Sequence, residues 1–147
     1  SSLSKFDNEH GMANSRARLR MTTLYQVAAA NKGIVVGTGN KVEDFGVGFY
    51  TKYGDGGVDI SPIADCNKTE VWELGKELNI LKEIIQAPPT DGLWDDGRTD
   101  EGQLGLTYKE LEEAMNNENS INRDKYIKIR NANLHKMDPI PVCKIPK

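Results

Sequence analysis

Cysteine, histidine and long apolar runs are all scarce in this sequence. Its 147 residues include two cysteines and two histidines, and Cys66, Cys143, His10 and His135 are all isolated from one another. Neither a disulfide framework nor a zinc site is therefore indicated. The longest apolar runs, "VAAA" and "IVVG", fall far short of the roughly 20 residues that cross a bilayer. These absences predict a cytoplasmic protein with no membrane partner.

An excess of positive charge is also lacking. Lysine and arginine number 19 against 22 acidic residues, which gives a net charge of -3 with no basic block. Binding to nucleic acid through counterion release therefore has little support, whereas small phosphorylated ligands remain possible. The length, with 37% hydrophobic and 28% charged residues, allows one globular domain but hardly two.

Hydrophobic periodicity predicts a first helix over residues 14–33, "NSRARLRMTTLYQVAAANKG". Asn14 or Ser15 can cap it, and Gly33 can end it. Its predicted inward face consists of Met21, Leu24, Tyr25 and Ala28. The apolar "IVVG" that follows predicts a buried strand. The order of helix, strand and glycine loop is typical of half an α/β crossover unit.

Three further helices are predicted downstream. "NKTEVWELGKEL" has Asn67 and Glu70 at capping-box spacing, "TYKELEEAM" repeats this with Thr107 and Glu110, and "INRDKYIKIRNANLHKM" gives the last helix. The inward face of the first of these is predicted to hold Val71, Leu74 and Leu78. Between them, "APPTDGLWDDGRTDEGQ" predicts a long polar loop.

Helices outnumber strands in this inventory, because only "IVVG" and the weaker "GVDIS" have strand character. A parallel sheet needs more strands than these to cover its helices. The fold class expected is α/β, a helix-rich and incomplete part of a parallel-sheet domain. Since the sequence also begins without methionine, we expect residues 1–147 to be the C-terminal part of a larger domain.

The most informative stretch is "GTGNKVEDFGVGFYTKYGDGG" at 37–57, in which seven residues are glycine. "GTG" follows a predicted strand, at the end where open α/β sheets bind ligands. A dinucleotide fingerprint does not fit, since position 42 is valine instead of the third glycine. A phosphate-binding P-loop does not fit either, because no G-K-[ST] follows. A simple turn out of the sheet remains the alternative.

Charged side chains are dense in and just after this stretch. They are the oxygen donors Glu43, Asp44, Asp55 and Asp59, and the cations Lys41, Lys52 and Lys68. Magnesium bound with a nucleotide phosphate needs that pairing of a few carboxylates with cations. A solvated charged loop would explain the charges, but not the glycines and aromatic residues between them.

Several stretches together resemble a known family. "ARLRMTTLY", "GTGNKVEDFGVGFYTKYGDGGVDISPIADCNKT", "PPTDGLWDDGRTDEGQLGLTY" and "NLHKM" are similar in order and spacing to NAD+ synthetase of the ammonia-dependent type. The resemblance implies an adenine nucleotide alpha hydrolase-like fold and a homodimer. The family's SGGxDS pyrophosphate loop is not in this sequence, so we expect this chain alone to be inactive. A glutamine-dependent member stays open.

The resemblance implies a reaction and a set of site residues. ATP adenylates the carboxylate of deamido-NAD+, pyrophosphate leaves, and ammonia displaces AMP to form NAD+. Carried over by motif, Thr38, Lys68 and Thr90 contact ATP, Glu43 binds Mg2+, and the deamido-NAD+ residues are Arg18, Lys52, Asp59, His135 and Lys136. Asp55 and Lys68 are implied to be catalytic: Asp55 handles ammonia, and Lys68 stabilises phosphate charge.

Each of these residues also has an ordinary interpretation. Arg18 suits a solvated helix face, Asp59 a turn before Pro62, and His135 with Lys136 a helix end favoured by the helix dipole. Two classes of function therefore stay open. One is an ATP-dependent amide ligase, and the other is a non-catalytic fragment that only binds nucleotide or dimerises.

Overall fold

The computed structural model describes residues 4–6 and 8–146. The remaining residues of the predicted domain, 1–3, 7 and 147, lie outside this description. A 3-10 turn, six α-helices and a π-helix are described, in the order 3-10 turn Ser4–Phe6, α1 Glu9–Ala30, π-helix Lys41–Val47, α2 Lys68–Glu77, α3 Lys82–Ile85, α4 Asp100–Leu104, α5 Tyr108–Asn116 and α6 Arg123–Met137. None of the described helices combines the length and the apolar character that a membrane crossing requires.

Helix α1 begins earlier than the sequence predicts. Asn8 is its N-cap, because its side-chain oxygen accepts a hydrogen bond from the Gly11 N–H at 2.8 Å. The predicted caps Asn14 and Ser15 are therefore wrong, since "EHGMA" is compatible with a helix and Asn8 offers a better-placed oxygen. The predicted inward position of Leu24 is wrong as well, for this side chain is 55% exposed.

The two predicted strand segments meet at one parallel bridge between Val36 and Ile60. The Gly37 N–H donates to the Ile60 carbonyl oxygen at 2.7 Å, and the Asp59 N–H donates to the Val35 carbonyl oxygen at 2.9 Å. Within residues 4–6 and 8–146 no longer strand pairing forms. The bridge places the "GTG" stretch beside the "TKYGDGG" turn.

A π-helix occupies the middle of the glycine-rich stretch, which the sequence predicts as a loop. The buried Asn40 starts it, since its Oδ1 accepts from the N–H groups of Val42 and Glu43, both at 3.1 Å. Gly48 ends it with a φ of 67° in the left-handed region, where a Cβ would lie 2.7 Å from the Cβ of Asn133. Glycine is required there by both conformation and space.

The hydrophobic core lies where the π-helix packs against α5 and α6. Its buried members are Val42, Val47, Leu104, Leu106, Tyr108, Leu111, Ala114 and Tyr126. The capping box predicted for α5 is confirmed, because Glu110 accepts from the Thr107 N–H at 2.7 Å and the Glu110 N–H donates back to the Thr107 hydroxyl at 3.3 Å. This packing fixes the π-helix on which Glu43 is carried.

Helix α2 begins at the predicted position, with Glu70 accepting from the Asn67 N–H at 2.7 Å. It is joined to α5 through Thr69, whose hydroxyl donates to Glu112 at 2.6 Å. Leu74 and Leu78 are 45% and 72% exposed. The predicted inward positions of Leu74 and Leu78 are therefore wrong, whereas Val71 is half-buried, because the contact with α5 lies at the N-terminal end of α2.

Candidate functional site

Two cavities lie on either side of the turn formed by residues 51–57. The first, of about 550 Å³, is lined by α1, the segments of the parallel bridge, the π-helix and the start of α2. The second, of about 480 Å³, is lined by the first half of α1, residues 48–52, residues 91–94 and α6. Four residues line both cavities: Phe49, Asp55, Asp91 and Leu93. The two cavities therefore share a wall.

A charged network forms one side of the first cavity. Lys68 Nζ lies 2.9 Å from Glu43 Oε1, and both side chains are largely buried. The hydroxyl of Tyr108 donates to the same Glu43 oxygen and lies 3.2 Å from Asp100 Oδ2. Lys68 Nζ also lies 4.9 Å from the centre of the Tyr108 ring. Glu43 thus has two partners, one cationic and one neutral.

Negative charge is concentrated around this network. Burial raises the pKa of Asp44 to about 7, and the nearby Glu43 and Asp55 add to the increase. Burial also raises the pKa of Asp100, with Glu43 contributing in the same direction. The buried Asp100 Oδ1 has no hydrogen-bond partner among residues 4–6 and 8–146. A cation entering this cavity would therefore relieve both repulsion and an unpaired oxygen.

The residues predicted to contact ATP line the first cavity. Thr38 directly follows the bridge segment, Lys68 begins α2, and Thr90 precedes the loop to α4. The Thr90 hydroxyl is tied to its own loop, because it donates to the Arg98 carbonyl oxygen at 3.1 Å and accepts from the Gly92 N–H at 3.3 Å. The structure thus brings these three residues and Glu43 to one cavity.

Four of the five residues predicted to bind deamido-NAD+ line the second cavity: Arg18, Lys52, His135 and Lys136. Lys136 Nζ donates to the carbonyl oxygens of Gly48 and Tyr50, both at 2.9 Å. Its burial lowers the pKa of its ammonium group, while Asp55 opposes this shift. Lys52 Nζ donates to the His135 carbonyl oxygen. These contacts join the 48–52 segment to the end of α6 and give the cavity a cationic lining.

Asp55 lies in the shared wall, at the tip of "YGDGG". Its Oδ1 accepts from the Thr51 N–H at 2.9 Å, which fixes the carboxylate within the turn. Burial of the carboxyl raises the pKa of Asp55, although the Thr51 N–H and Lys136 act in the opposite direction. The turn approaches α1 closely, because a Cβ on Gly54 would lie 3.0 Å from the Cβ of Ala17. Of the acidic residues that the sequence predicts for the site, Asp55 is thus the one that lines both cavities.

Asp59 lies outside the lining of the two cavities. Its Oδ2 accepts from the Val35 N–H at 2.7 Å, and its Oδ1 accepts from the Tyr25 hydroxyl at 3.2 Å. The first contact joins the two segments of the parallel bridge, and the second ties the bridge to α1. The assignment of Asp59 to deamido-NAD+ therefore stays a prediction, and its position here is structural.

Three residues of the site were not singled out from the sequence: Asp91, Asp100 and Tyr108. The Asp91 carboxylate accepts from the Leu93 N–H at 2.9 Å, Trp94 Nε1 at 3.1 Å and Gln103 Nε2 at 3.2 Å, so it organises the loop that lines both cavities. All three residues lie in or just after the polar stretch between the prolines and α5. The acidic residues there were a usable signal, but nothing local shows that the Tyr108 ring points towards Glu43.

Magnesium needs few protein ligands when it binds with a nucleotide, because phosphates and waters supply the rest of its octahedral shell. Within the part of the chain that the structure describes, no three His, Cys, Asp or Glu side chains converge as a metal site. Glu43 and the unpartnered Asp100 Oδ1 lie in the same cavity wall. This donor set fits an ion that arrives with nucleotide phosphates, and does not fit a resident, fully protein-bound metal.

Three features occur together in this chain: a glycine segment after a parallel bridge, a buried Lys68 beside Glu43, and a neighbouring cationic cavity. This combination is typical of an α/β protein that binds two nucleotide-like ligands side by side. The NAD synthase family model matches residues 2–142. The chain therefore belongs to the NAD synthase family.

Curated relatives agree with this assignment. The chain is 49% identical over 104 residues to the NH(3)-dependent NAD(+) synthetase of Carboxydothermus hydrogenoformans, covering 71% of this chain and 42% of that protein. It is 44% identical over 135 residues to the enzyme of the same name from Alkaliphilus oremlandii, covering 90% of this chain and 53% of that protein. The chain spans about half the length of the curated relatives it matches.

Solved structures give the same picture of the fold. The NMN synthetase of Francisella tularensis superposes with a TM-score of 0.88 at 34% identity, over 98% of this chain and 60% of that one. An NH3-dependent NAD synthetase from Campylobacter jejuni superposes with a TM-score of 0.62 at 25% identity, over 89% of this chain and 54% of that one. The fold of this chain is thus that of the NAD and NMN synthetases, in a helix-rich portion.

Proposed function

We propose that the protein containing this chain amidates deamido-NAD+ with ammonia to form NAD+, using ATP and releasing AMP and pyrophosphate through an acyl-adenylate. The observation that carries the proposal is the shared wall at Asp55. One cavity beside it collects Thr38, Glu43, Lys68 and Thr90, and the other collects cationic side chains. Such an arrangement allows a nucleotide and a second substrate to meet next to one carboxylate.

In the first half of the reaction, the first cavity has to bind a triphosphate and stabilise the pyrophosphate that leaves. Lys68 is one of two cations that line this cavity, the other being Arg20, and Glu43 at 2.9 Å keeps the Lys68 ammonium group oriented. Thr38 and Thr90 offer hydroxyls at the rim formed by the bridge and the loop. Fixed donors of this kind stabilise developing phosphate charge without reorganising during the reaction.

In the second half, ammonia has to reach the acyl-adenylate. Ammonia is mostly ammonium at neutral pH, and the Asp55 carboxylate in the shared wall is placed to attract that cation. Ammonium first gives one proton to the Asp55 carboxylate, because only NH3 has the lone pair that attacks. The nitrogen then bonds to the acyl carbon, the bond from that carbon to AMP breaks, and the second proton leaves the nitrogen to solvent. The glycines on either side of Asp55 let the turn pack tightly, because a Cβ on Gly54 would lie 2.8 Å from Thr51 Cγ2 and one on Gly56 would lie 2.5 Å from Tyr50 Cδ2.

Mg2+ enters this proposal with ATP, and Glu43, together with the Asp100 Oδ1, would hold it. When bound, it neutralises phosphate charge. Glu43 is also paired with Lys68 and Tyr108, so its orientation is set before any ligand arrives.

We also propose a cytoplasmic location, for which the free cysteines Cys66 and Cys143 give support.

We further propose that the chain forms the C-terminal part of one synthetase domain with an adenine nucleotide alpha hydrolase-like parallel sheet, and that the protein is a homodimer. Apolar side chains remain exposed on α1 and on α2 with the segment after it, namely Leu19, Leu24, Val27, Leu78, Leu81 and Ile84. Exposed apolar surface of this extent is typical of interaction surfaces. Sedimentation of the native protein at micromolar concentration is expected to give a dimer, and a stable monomer would contradict this part of the proposal.

The function itself is tested with the native protein, Mg·ATP, deamido-NAD+ and ammonium. Mass spectrometry is expected to show NAD+, AMP and pyrophosphate in equal amounts. Formation of ADP, or no turnover at all, would contradict the proposal. The same assay on this chain expressed alone separates the two classes of function, since a non-catalytic fragment would bind nucleotide or dimerise without forming AMP.

One observation favours a second substrate for the same reaction. The Francisella tularensis structure with a TM-score of 0.88 is an NMN synthetase, so amidation of nicotinic acid mononucleotide to NMN is the second candidate. A comparison of kcat/KM for the mononucleotide and for deamido-NAD+ decides between them. A tenfold higher kcat/KM for one substrate identifies it as the preferred one, and corresponds to about 1.4 kcal/mol of stronger transition-state binding.

A further inference from the structure

We propose that Tyr108 is a positioning residue for nucleotide binding, which sets the orientation of Glu43 and Lys68 from beneath the first cavity. The chemistry proposed above does not use this tyrosine, and although Tyr108 ends the stretch "PPTDGLWDDGRTDEGQLGLTY", the resemblance assigns it no role. The inference rests on the proposed function to the extent that the first cavity is taken to be the ATP site. It concerns the side chain that supports the two charged residues, and Tyr108 itself is not among the residues that line the cavity.

Contacts of the hydroxyl are the first support. It donates to Glu43 Oε1 and lies 3.2 Å from Asp100 Oδ2. Among the residues that the structure describes, Asp100 Oδ1 is buried without a partner, and the tyrosine hydroxyl is the side-chain contact of this carboxylate. Removal of one oxygen atom would leave Asp100 unpaired and would deprive Glu43 of its neutral donor.

The ring provides the second support. Lys68 Nζ lies 4.9 Å from the ring centre, and the same Nζ is 2.9 Å from Glu43 Oε1. The ammonium group is thus held between a carboxylate and an aromatic face, two interactions that favour one position. Tyr108 contacts both members of the ion pair, although they come from different segments, the π-helix and α2.

Rigidity of Tyr108 is the third support, because a side chain can position others only if it is itself fixed. It is 1% exposed and belongs to the hydrophobic core. Trp72 packs edge-on against it at 5.9 Å and 85°. Its backbone N–H donates to Glu101 at 2.9 Å, at the start of α5. The core thus fixes the ring, and the ring in turn fixes two charges in the cavity wall.

Tyr108→Phe tests this directly, because it keeps the buried ring and removes only the hydroxyl. Tyr126→Phe is the matched control, since Tyr126 is buried in the same core and its hydroxyl, within the described part of the chain, donates a single long hydrogen bond of 3.4 Å to the Gly46 carbonyl oxygen. Calorimetry measures how tightly the native protein binds an ATP analogue that cannot be cleaved, in the presence of magnesium. Tyr108→Phe is expected to bind this analogue roughly tenfold more weakly than the original protein does. Tyr126→Phe is expected to bind within about twofold of the original protein.

A double-mutant cycle with Glu43→Gln distinguishes positioning from general loosening of the core. If Tyr108 acts through Glu43, the loss of nucleotide affinity in the double variant is expected to be smaller than the product of the two single losses. KM for ammonia is expected to be unchanged. Unaltered affinity in Tyr108→Phe, or fully multiplicative losses, would overturn the inference.

The same experiments distinguish a failure of the proposed function from a failure of the Tyr108 inference. An unmodified protein that binds the ATP analogue but forms no NAD+ or NMN contradicts the proposed reaction and leaves the Tyr108 comparison intact. An unmodified protein that does not bind the analogue overturns both, since the first cavity would then not be an ATP site.

Discussion

Arg20 of α1 donates a 2.7 Å hydrogen bond from Nη2 to the backbone carbonyl oxygen of Gly92. Its Nη1 donates to the neighbouring Asp91 carbonyl oxygen at 3.1 Å, and one turn earlier Arg16 Nη1 donates to the Leu93 carbonyl oxygen at 2.6 Å. Two arginines on one helix face therefore hold three consecutive residues of the loop that lines both cavities.

Replacing Arg20 by Met is expected to weaken this attachment and to raise KM for both ATP and the nicotinate substrate several-fold, because Asp91 faces both cavities. Arg20→Lys should recover only part of the loss, since a lysine cannot make the paired contact of a guanidinium. Hydrogen exchange of residues 91–93 measures the loop without reference to activity. Lys109→Met, on an exposed helix position, is the control, and equal exchange in both variants would contradict the prediction.

Glu43→Gln keeps the shape of the side chain and removes its charge. We expect a higher magnesium requirement and adenylation slowed by about tenfold or more, because Lys68 loses its buried partner and the ion loses a ligand. The measurement is pyrophosphate release at a series of Mg2+ concentrations. Glu73→Gln, on an exposed position of α2, should behave like the original protein. Unchanged magnesium dependence would count against the assignment of Glu43.

Asp55→Asn separates the two halves of the reaction. Adenylation is expected to remain within a few-fold of the original rate, whereas amide formation should fall by about tenfold or more, because the amide cannot attract ammonium or accept its proton. Two single-turnover assays, of pyrophosphate release and of NAD+ formation, measure the steps. Added ammonia should partly restore the rate, mainly at higher pH where free NH3 is more abundant. Equal loss in both steps would exclude the ammonia-handling role.

The pH dependence of amide formation follows from the same carboxylate. Burial raises the pKa of Asp55 above its ordinary value of 3.8. Because the reaction needs the ionised form, activity is expected to be lost as the pH falls through this raised pKa, thus at a higher pH than for a solvated aspartate. A pH profile of NAD+ formation in single turnover measures this limb. An acid limb centred near 3.8 would contradict the assignment.

Asp59→Ala distinguishes the structural position of Asp59 from its predicted role in binding deamido-NAD+. The variant loses the 2.7 Å hydrogen bond from the Val35 N–H, so we expect the free energy of unfolding to fall by about 1–2 kcal/mol with KM for deamido-NAD+ unchanged. Urea unfolding and steady-state kinetics measure the two quantities. Tyr25→Phe, which removes only the exposed contact at 3.2 Å, should cost less. Raised KM at unchanged stability would favour the substrate role instead.

Local signals in the sequence predicted the helices well where caps and periodicity agree. The spacings at Asn67 and Thr107 mark real helix starts, because in each case the glutamate three residues on accepts a hydrogen bond from the backbone N–H of the cap residue. The start of α1 was misplaced, since several polar residues compete for the cap. The π-helix was missed because its stability comes from the contact of Val42 and Val47 with α5 and α6, which no local pattern records.

The site was predictable in part for a similar reason. Motif resemblance assembled two groups of residues, and the structure places those groups in two neighbouring cavities. The resemblance also assigned Asp59 to deamido-NAD+; its side chain accepts from the Val35 N–H here, and the assignment stays a prediction. Tyr108 lies 65 residues from Glu43 in sequence, and contact at that separation is set by tertiary packing.

The common wall of the two cavities has a thermodynamic consequence. Two ligands that pack against the same Phe49, Asp55, Asp91 and Leu93 cannot bind independently if either of them shifts these side chains. Whatever factor ATP imposes on the affinity of the second substrate, that substrate must impose on ATP, since the coupling free energy belongs to the pair. A replacement in this wall is therefore expected to change the coupling factor between the two ligands, as well as their individual affinities.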